Sequence, residues 1–143
     1  MDIGIDLDET LILNKNNWNG SSSWKLKTNV DKYLPLLFEK HRLHIITARD
    51  NEEEVTKIVK NIEDRLNIKF MSITLTNFNN KGSYAKHCKY LIDDNPDYLS
   101  DCLDNNVIPI LLSRNKNKYK RVYPDYVVCE NWKEVYEHII DLK

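Results

Sequence analysis

The sequence predicts an α/β fold, Rossmann-like and doubly wound, with a mainly parallel sheet and helices on both faces. Three observations predict it. Short β-branched apolar runs alternate with helical patterns along the chain. Those runs are predominantly apolar, as strands buried on both faces are. Polar and acidic residues gather where the runs end, the edge at which open parallel sheets hold their ligands.

The first strand covers residues 3–6, with Asp6 at its carboxyl end and Asp8 two residues on. A sharp turn after Asp6 lets both carboxylates face one crevice and share a divalent cation. Asp and Thr also build turns, so these residues alone fit a strand running into an acidic turn equally well. Residues 14–28 are polar, with Asn, Gly and Ser around Trp18 and Trp24. They read as a flap over the strand ends, its tryptophans facing substrate, with a plain solvent loop as the alternative.

A helix over residues 30–40 buries Tyr33, Leu34, Leu37 and Phe38, and Pro35 kinks it or delays its start. The second strand, residues 43–47, ends in Thr47-Ala48-Arg49, where a hydroxyl, a guanidinium and helix N–H groups suit a phosphate. The helix that follows puts Val55, Ile58, Val59, Ile62 and Leu66 on one face. Asp50 is expected to cap it, and Glu52, Glu53 and Glu54 suit the positive end of its dipole.

After a third strand at residues 70–75, Asn80-Lys81-Gly82-Ser83 opens a short helical stretch. Lys81 is favoured there to neutralise carboxylates and a bound phosphate, with Lys86 and Lys89 as rivals. The fourth strand, residues 90–93, ends in Asp93-Asp94-Asn95-Pro96. Adjacent carboxylates at the end of an apolar run need a cation or donors, and hard oxygen ligands suit magnesium. Strands follow at residues 107–112 and 126–129, with Lys116, Lys118, Lys120 and Arg121 between them as a solvated basic loop. The closing helix starts at Asn131, with Glu134 in capping-box position and Trp132, Val135, Tyr136 and Ile139 inward.

The 143 residues, 41% hydrophobic and 30% charged, fit one domain over residues 1–143. A net charge of −1 gives no global basic field for nucleic acid. Cys88, Cys102 and Cys129 lack paired spacing, which argues for reduced thiols and against a disulfide framework or a zinc site. No apolar run reaches membrane-spanning length and no leader pattern opens the chain, so a soluble, cytoplasmic protein without membrane partners is expected.

The ordered set Asp6-Leu7-Asp8-Glu9-Thr10, Thr47, Lys81 and Asp93-Asp94 resembles the four motifs of the haloacid dehalogenase (HAD) superfamily of phosphotransferases. Pro124-Asp125-Tyr126-Val127-Val128 before a capped helix extends the likeness to about Leu142. Ile45-Ile46-Thr47-Ala48-Arg49 and Leu91-Ile92-Asp93-Asp94-Asn95-Pro96 are most similar to small capless deoxyribonucleotidase-type members. Glu9 departs from the pattern, where many members carry Gly, and Asp-Leu-Asp-Glu-Thr is shared with phosphoprotein phosphatases. The gaps leave no room for a large cap domain, so the crevice should be open.

The resemblance implies a Mg2+-dependent phosphatase that works through an aspartyl-phosphate. Asp6 would be the nucleophile and Asp8 the general acid and base. Thr47 and Lys81 would hold the phosphoryl oxygens. Magnesium would bind Asp6, the Asp8 carbonyl and Asp93, with Asp94 orienting that shell. Thr10, Arg49, Trp18 and Trp24 would contact substrate. A nucleotide is the first substrate class implied, with a polynucleotide 3′-phosphate end or a phosphoprotein as rivals. A non-enzymatic binding module, a phosphotransferase and an oligomer that covers the open site are the remaining alternatives.

Overall fold

Ile3, Gly4 and Ile5 are fully buried with no polar side chain among them, and such a strand belongs at the centre of a parallel sheet. The computed structural model, which describes residues 1–20 and 22–140, puts it there. In chain order the elements are β1 (Asp2–Ile5), β2 (Ile12–Asn16), β3 (Ser22–Leu26), α1 (Val30–Phe38), β4 (Arg42–Thr47) and α2 (Glu52–Leu66). There follow β5 (Ser72–Leu75), β6 (Tyr90–Asp93), β7 (Ile108–Leu112), α3 (Lys116–Val122), β8 (Val127–Cys129) and α4 (Trp132–Ile140). Short 3-10 turns lie at Gly82–Ala85, Pro96–Leu99 and Leu103–Asn105.

Six strands form one sheet in the order β5-β4-β1-β6-β7-β8, every pair parallel. The order reverses direction at β1, where a doubly wound sheet opens its crevice. One face of the sheet carries Ile3, Ile5, Leu43, Ile45, Ile92 and Ile110, packed with the apolar faces of α1, α2 and α4. The other carries Ile46, Leu91, Leu111 and Val128, and its cover is slighter: Ala85 and Leu99 of the short turns, Cys102 just before the third, Tyr119 of α3 and Tyr123 just after it. Cys88, Cys102 and Cys129 are buried and unpaired. Among the described residues, no helix is long and apolar enough to cross a membrane.

Several local expectations are corrected. Asn51 rather than Asp50 caps α2; its side chain accepts the Glu54 N–H at 3.1 Å. Residues 14–28 are not a plain loop, because β2 and β3 pair as an antiparallel hairpin through Asn14↔Trp24 and Leu13↔Lys25. The basic run at 116–121 is helical, forming most of α3. Pro35 neither delays nor stops α1, which runs through it. At α4 Asn131 caps the Glu134 N–H at 3.0 Å, while the Glu134 carboxylate accepts the N–H of Glu130 rather than of Asn131.

Candidate active site

Asp6 follows the last residue of β1, and its N–H still donates to the Ile92 carbonyl at 2.9 Å, so the nucleophile candidate is fixed by the sheet itself. The chain then coils back: Leu11 and Ile12 N–H groups both donate to the Leu7 carbonyl. Glu9 makes this turn with φ 62, the left-handed region where glycine is favoured. That turn brings Thr10 back beneath Asp6, and its hydroxyl donates to Asp6 Oδ2 at 2.9 Å. Trp132 of α4 holds the turn from behind through Nε1–H to the Thr10 carbonyl at 2.8 Å.

Lys81 is fully buried and donates to Asp6 Oδ1 at 2.6 Å and Asp93 Oδ2 at 2.7 Å. It is positioned by the residue after it. Gly82 packs so closely on Asp101 that an added Cβ would fall 2.6 Å from the Asp101 backbone. The Asp101 carboxylate accepts the Gly82 N–H at 2.7 Å and the Ser83 N–H at 3.1 Å. Lys86 and Lys89, the rivals for this role, are exposed.

Asp93 ends β6, and its second oxygen accepts the Asn95 N–H at 3.0 Å. Asn95 in turn caps the turn at Pro96–Leu99. Oxygens of Asp6, Asp93 and Asp94 all lie within 4.8 Å of one another. Burial, and then the neighbouring Asp93 charge, push Asp6 up to about 7 against the pull of Lys81 and Thr10. Burial likewise raises Asp93 to about 6, and burial with the charge of Asp6 raises Asp94 to about 6. Burial would lower Lys81, but Asp6 and Asp93 outweigh it and raise the ammonium. One ammonium against three converging carboxylates leaves unbalanced negative charge, and this donor set fits a hard divalent cation.

Asp8 stands apart from this cluster. Arg49 grips it through Nε to Oδ2 at 2.8 Å and Nη2 to Oδ1 at 2.7 Å, and Asn14 donates to Oδ1 at 2.7 Å. Burial alone would raise Asp8; Arg49 and Asn14 outweigh it and hold the carboxyl below its ordinary value. Arg49 also pairs with Glu54, so its guanidinium is engaged by protein carboxylates on two sides. Thr47 is fully buried at the end of β4, its hydroxyl accepting the Arg49 N–H at 3.3 Å.

The two tryptophans part company. Trp24 packs against the core with the Arg65 guanidinium 5.2 Å from its ring centroid, on α2 rather than over the strand ends. Trp18 is 99% exposed beyond β2. Phe78 was not singled out in the sequence, yet it is 65% exposed with φ 66, and its N–H donates to the Ala48 carbonyl beside Thr47. A bulky residue at positive φ is a backbone outlier of the kind that clusters at functional sites and tight turns. Asn77 before it, also at positive φ, was the available signal for a tight turn there.

His44, His87 and Cys88 form a second group of metal-ligand types, also within 4.8 Å of one another. His44 is already engaged at both ring nitrogens, by Asp2 at 2.8 Å and Ser72 at 2.7 Å. His44 sits at mid-strand and Asp2 opens β1, so this group lies away from the carboxyl edge that bears Asp6.

No protein-family model matches the sequence, and no curated protein matches it either. Solved structures do match in shape. D,D-heptose 1.7-bisphosphate phosphatase from B. bronchiseptica, crystallised with magnesium and phosphate, superposes with a TM-score of 0.72 over 99% of both chains at 13% identity. A HAD-superfamily hydrolase from Ehrlichia chaffeensis gives 0.68 over 98% of this chain and 96% of that one, also at 13% identity. The chain shares the fold of these two proteins. Among the described residues, the hairpin β2–β3 is the only strand or helix element between β1 and α1, and no cap domain is present.

Proposed function

We propose that this protein is a Mg2+-dependent phosphomonoesterase that works through an aspartyl-phosphate at Asp6, with a nucleotide as substrate. The observation that carries it is Lys81, buried between Asp6 and Asp93 at the switch point of a HAD-type sheet. Burying that ammonium with several carboxylates is costly for a purely structural role. It is well suited to a centre where a phosphoryl group and a cation redistribute the charge.

Asp6, Asp93 and the Asp8 carbonyl would hold magnesium, with Asp94, which Thr10 approaches at 3.5 Å, orienting that shell. When bound, the ion offsets the negative charge of carboxylates and phosphoryl oxygens. Asp6 attacks phosphorus, the ester P–O bond breaks, and the leaving oxygen takes a proton from Asp8. That carboxyl carries a proton only when it is released from the Arg49 and Asn14 contacts that keep it ionised here. Asp8 then takes a proton from water, whose oxygen attacks phosphorus. The bond to Asp6 breaks and inorganic phosphate leaves. Lys81 and Thr47 hold phosphoryl oxygens, and Thr10 fixes the Asp6 carboxylate. Arg49 acts through Asp8 as a positioning residue. The exposed ring of Phe78, beside Thr47, supports the nucleotide reading because it offers a nucleobase a stacking surface. Buried, unpaired thiols support a reducing, cytosolic setting.

The test is phosphate release from mononucleotides and p-nitrophenyl phosphate, with magnesium and with chelator. Asp6→Asn is expected to abolish turnover, while Asp8→Asn lowers kcat by about 10²–10⁴-fold, the usual worth of a general acid–base. Turnover that persists in a folded Asp6→Asn protein, or in chelator, overturns the mechanism.

A further inference from the structure

The chain has a net charge of −1, yet two segments at the strand carboxyl edge hold only basic charge. Residues 10–30 contain Lys15, Lys25 and Lys27 and no acidic residue; residues 105–124 contain Arg114, Lys116, Lys118, Lys120 and Arg121 and no acidic residue. Strand alternation puts Lys15 and Lys25 on the hairpin face opposite Asn14 and Trp24. Asn14 meets Asp8 and Arg49, so the lysine face is turned the other way.

Lys27, in step with Lys25, shows where that face leads. Its ammonium donates to the Glu9 carbonyl at 2.7 Å and is within electrostatic reach of Asp94, Asp6 and Arg114. Arg114 in turn opens a cavity of about 370 Å³, shared with Asn115, Lys116, Asn117, Lys118 and Glu130. Among the described residues of both segments, Lys116 alone is in an ion pair, with Glu134 at 2.7 Å. Arg114, Lys118, Lys120 and Arg121 are exposed, with Glu130 in the same cavity and Glu134 within electrostatic reach of Lys120 as the acidic groups beside them.

We propose that this basic wall, from Lys15 and Lys25 through Lys27 and Arg114 to α3, binds the backbone of single-stranded nucleic acid whose terminal phosphate is hydrolysed at Asp6. The proposal rests on the phosphatase reading above. A free mononucleotide presents its phosphate at Asp6 and leaves the wall without a counterpart, whereas a strand supplies further phosphates to it. Asp6 is only 4% exposed, so a terminal monoester reaches it more readily than an internal diester with a substituent on each side. Trp18, 99% exposed on the hairpin, adds a face on which a base can stack.

The experiment compares kcat/KM for mononucleotides, for 3′- and 5′-phosphorylated oligonucleotides of increasing length, for a phosphoserine peptide and for p-nitrophenyl phosphate. The expected gain with oligonucleotide length is about tenfold or more, falling with salt at a slope near −0.7 per phosphate contacted. Charge reversal at Lys118→Glu with Arg121→Glu is expected to erase that gain and leave p-nitrophenyl phosphate turnover as it was. Equal kcat/KM for mononucleotide and oligonucleotide, a gain insensitive to salt or to the reversal, or preference for the peptide overturns the proposal. Anisotropy of a labelled oligonucleotide with the wild-type protein in chelator reads the wall without turnover. Salt-dependent binding there, with no hydrolysis of any ester, would sink the phosphatase reading and keep the wall; absent binding sinks the wall whatever the turnover.

Discussion

Glu9 pays a conformational cost that its neighbours explain. Its φ of 62 is needed for the chain to double back beneath Asp6, and an L side chain in that region costs about 1–2 kcal/mol. Glycine there is free of that strain but has about 0.5–1 kcal/mol more freedom to lose on folding. Glu9→Gly is therefore expected to stabilise the protein by roughly 0.5–1 kcal/mol, read as a higher urea midpoint at unchanged slope. A lower midpoint would mean that the Glu9 side chain, which sits 3.4 Å from the Asn14 N–H, contributes more than its backbone costs. The same scale separates the two acidic pairs. Asp6 and Asp93 share Lys81 inside the protein, while Asp8 is paired with an arginine at the surface of the crevice.

Among the elements, the turn at Gly82–Ala85 is the one on which the site depends most. Gly82→Ala forces a Cβ against the Asp101 backbone, which cannot swing aside as a side chain can. Overpacking of this kind costs about 1–3 kcal/mol, and the displaced Lys81 should cut kcat by far more than the stability loss suggests. Ser83→Ala, at an exposed neighbour, is the control expected to leave both unchanged. The strands, α1, α2 and α4 were legible because periodicity and apolar runs report burial directly. The hairpin inside the flap was not legible, because Asn14, Lys15, Asn16, Ser22 and Ser23 make up most of its two strands and leave too few apolar residues to mark a strand period. Lys116, Lys118 and Lys120 concealed α3 in the same way, since Tyr119 is the one residue within it that packs on the core. At the site, residue types and strand-end positions were readable. The partner of Arg49 was not, because nothing in spacing says that a guanidinium at the end of β4 will meet Asp8 before it meets a ligand.

For the whole molecule, the carboxyl cluster links stability to pH and to metal. The folded protein holds protons on Asp6, Asp93 and Asp94 up to about 7, 6 and 6, whereas an ordinary carboxyl releases its proton near 3.8. Between those values the unfolded chain binds fewer protons, so metal-free stability falls as pH rises from about 4 to 7. Magnesium bound there as proposed would replace those protons and flatten the slope. Thermal melts are expected to show a larger rise in Tm with magnesium at pH 7.5 than at pH 5, and an equal rise at both would mean that the cation binds elsewhere. The strand order carries a different consequence, for the route to the native state. β1 sits between β4 and β6, and its second partner, Tyr90–Ile92, lies far along the chain from Ile3–Ile5. The strand that bears Asp6 thus stays half-paired until most of the chain has been made. Distant parallel pairing of this kind is slow to form and leaves an apolar edge open meanwhile. The middle of the sheet, with Asp6 just beyond its central strand, is closed only once β6 has been made, and β7 and β8 then extend the edge.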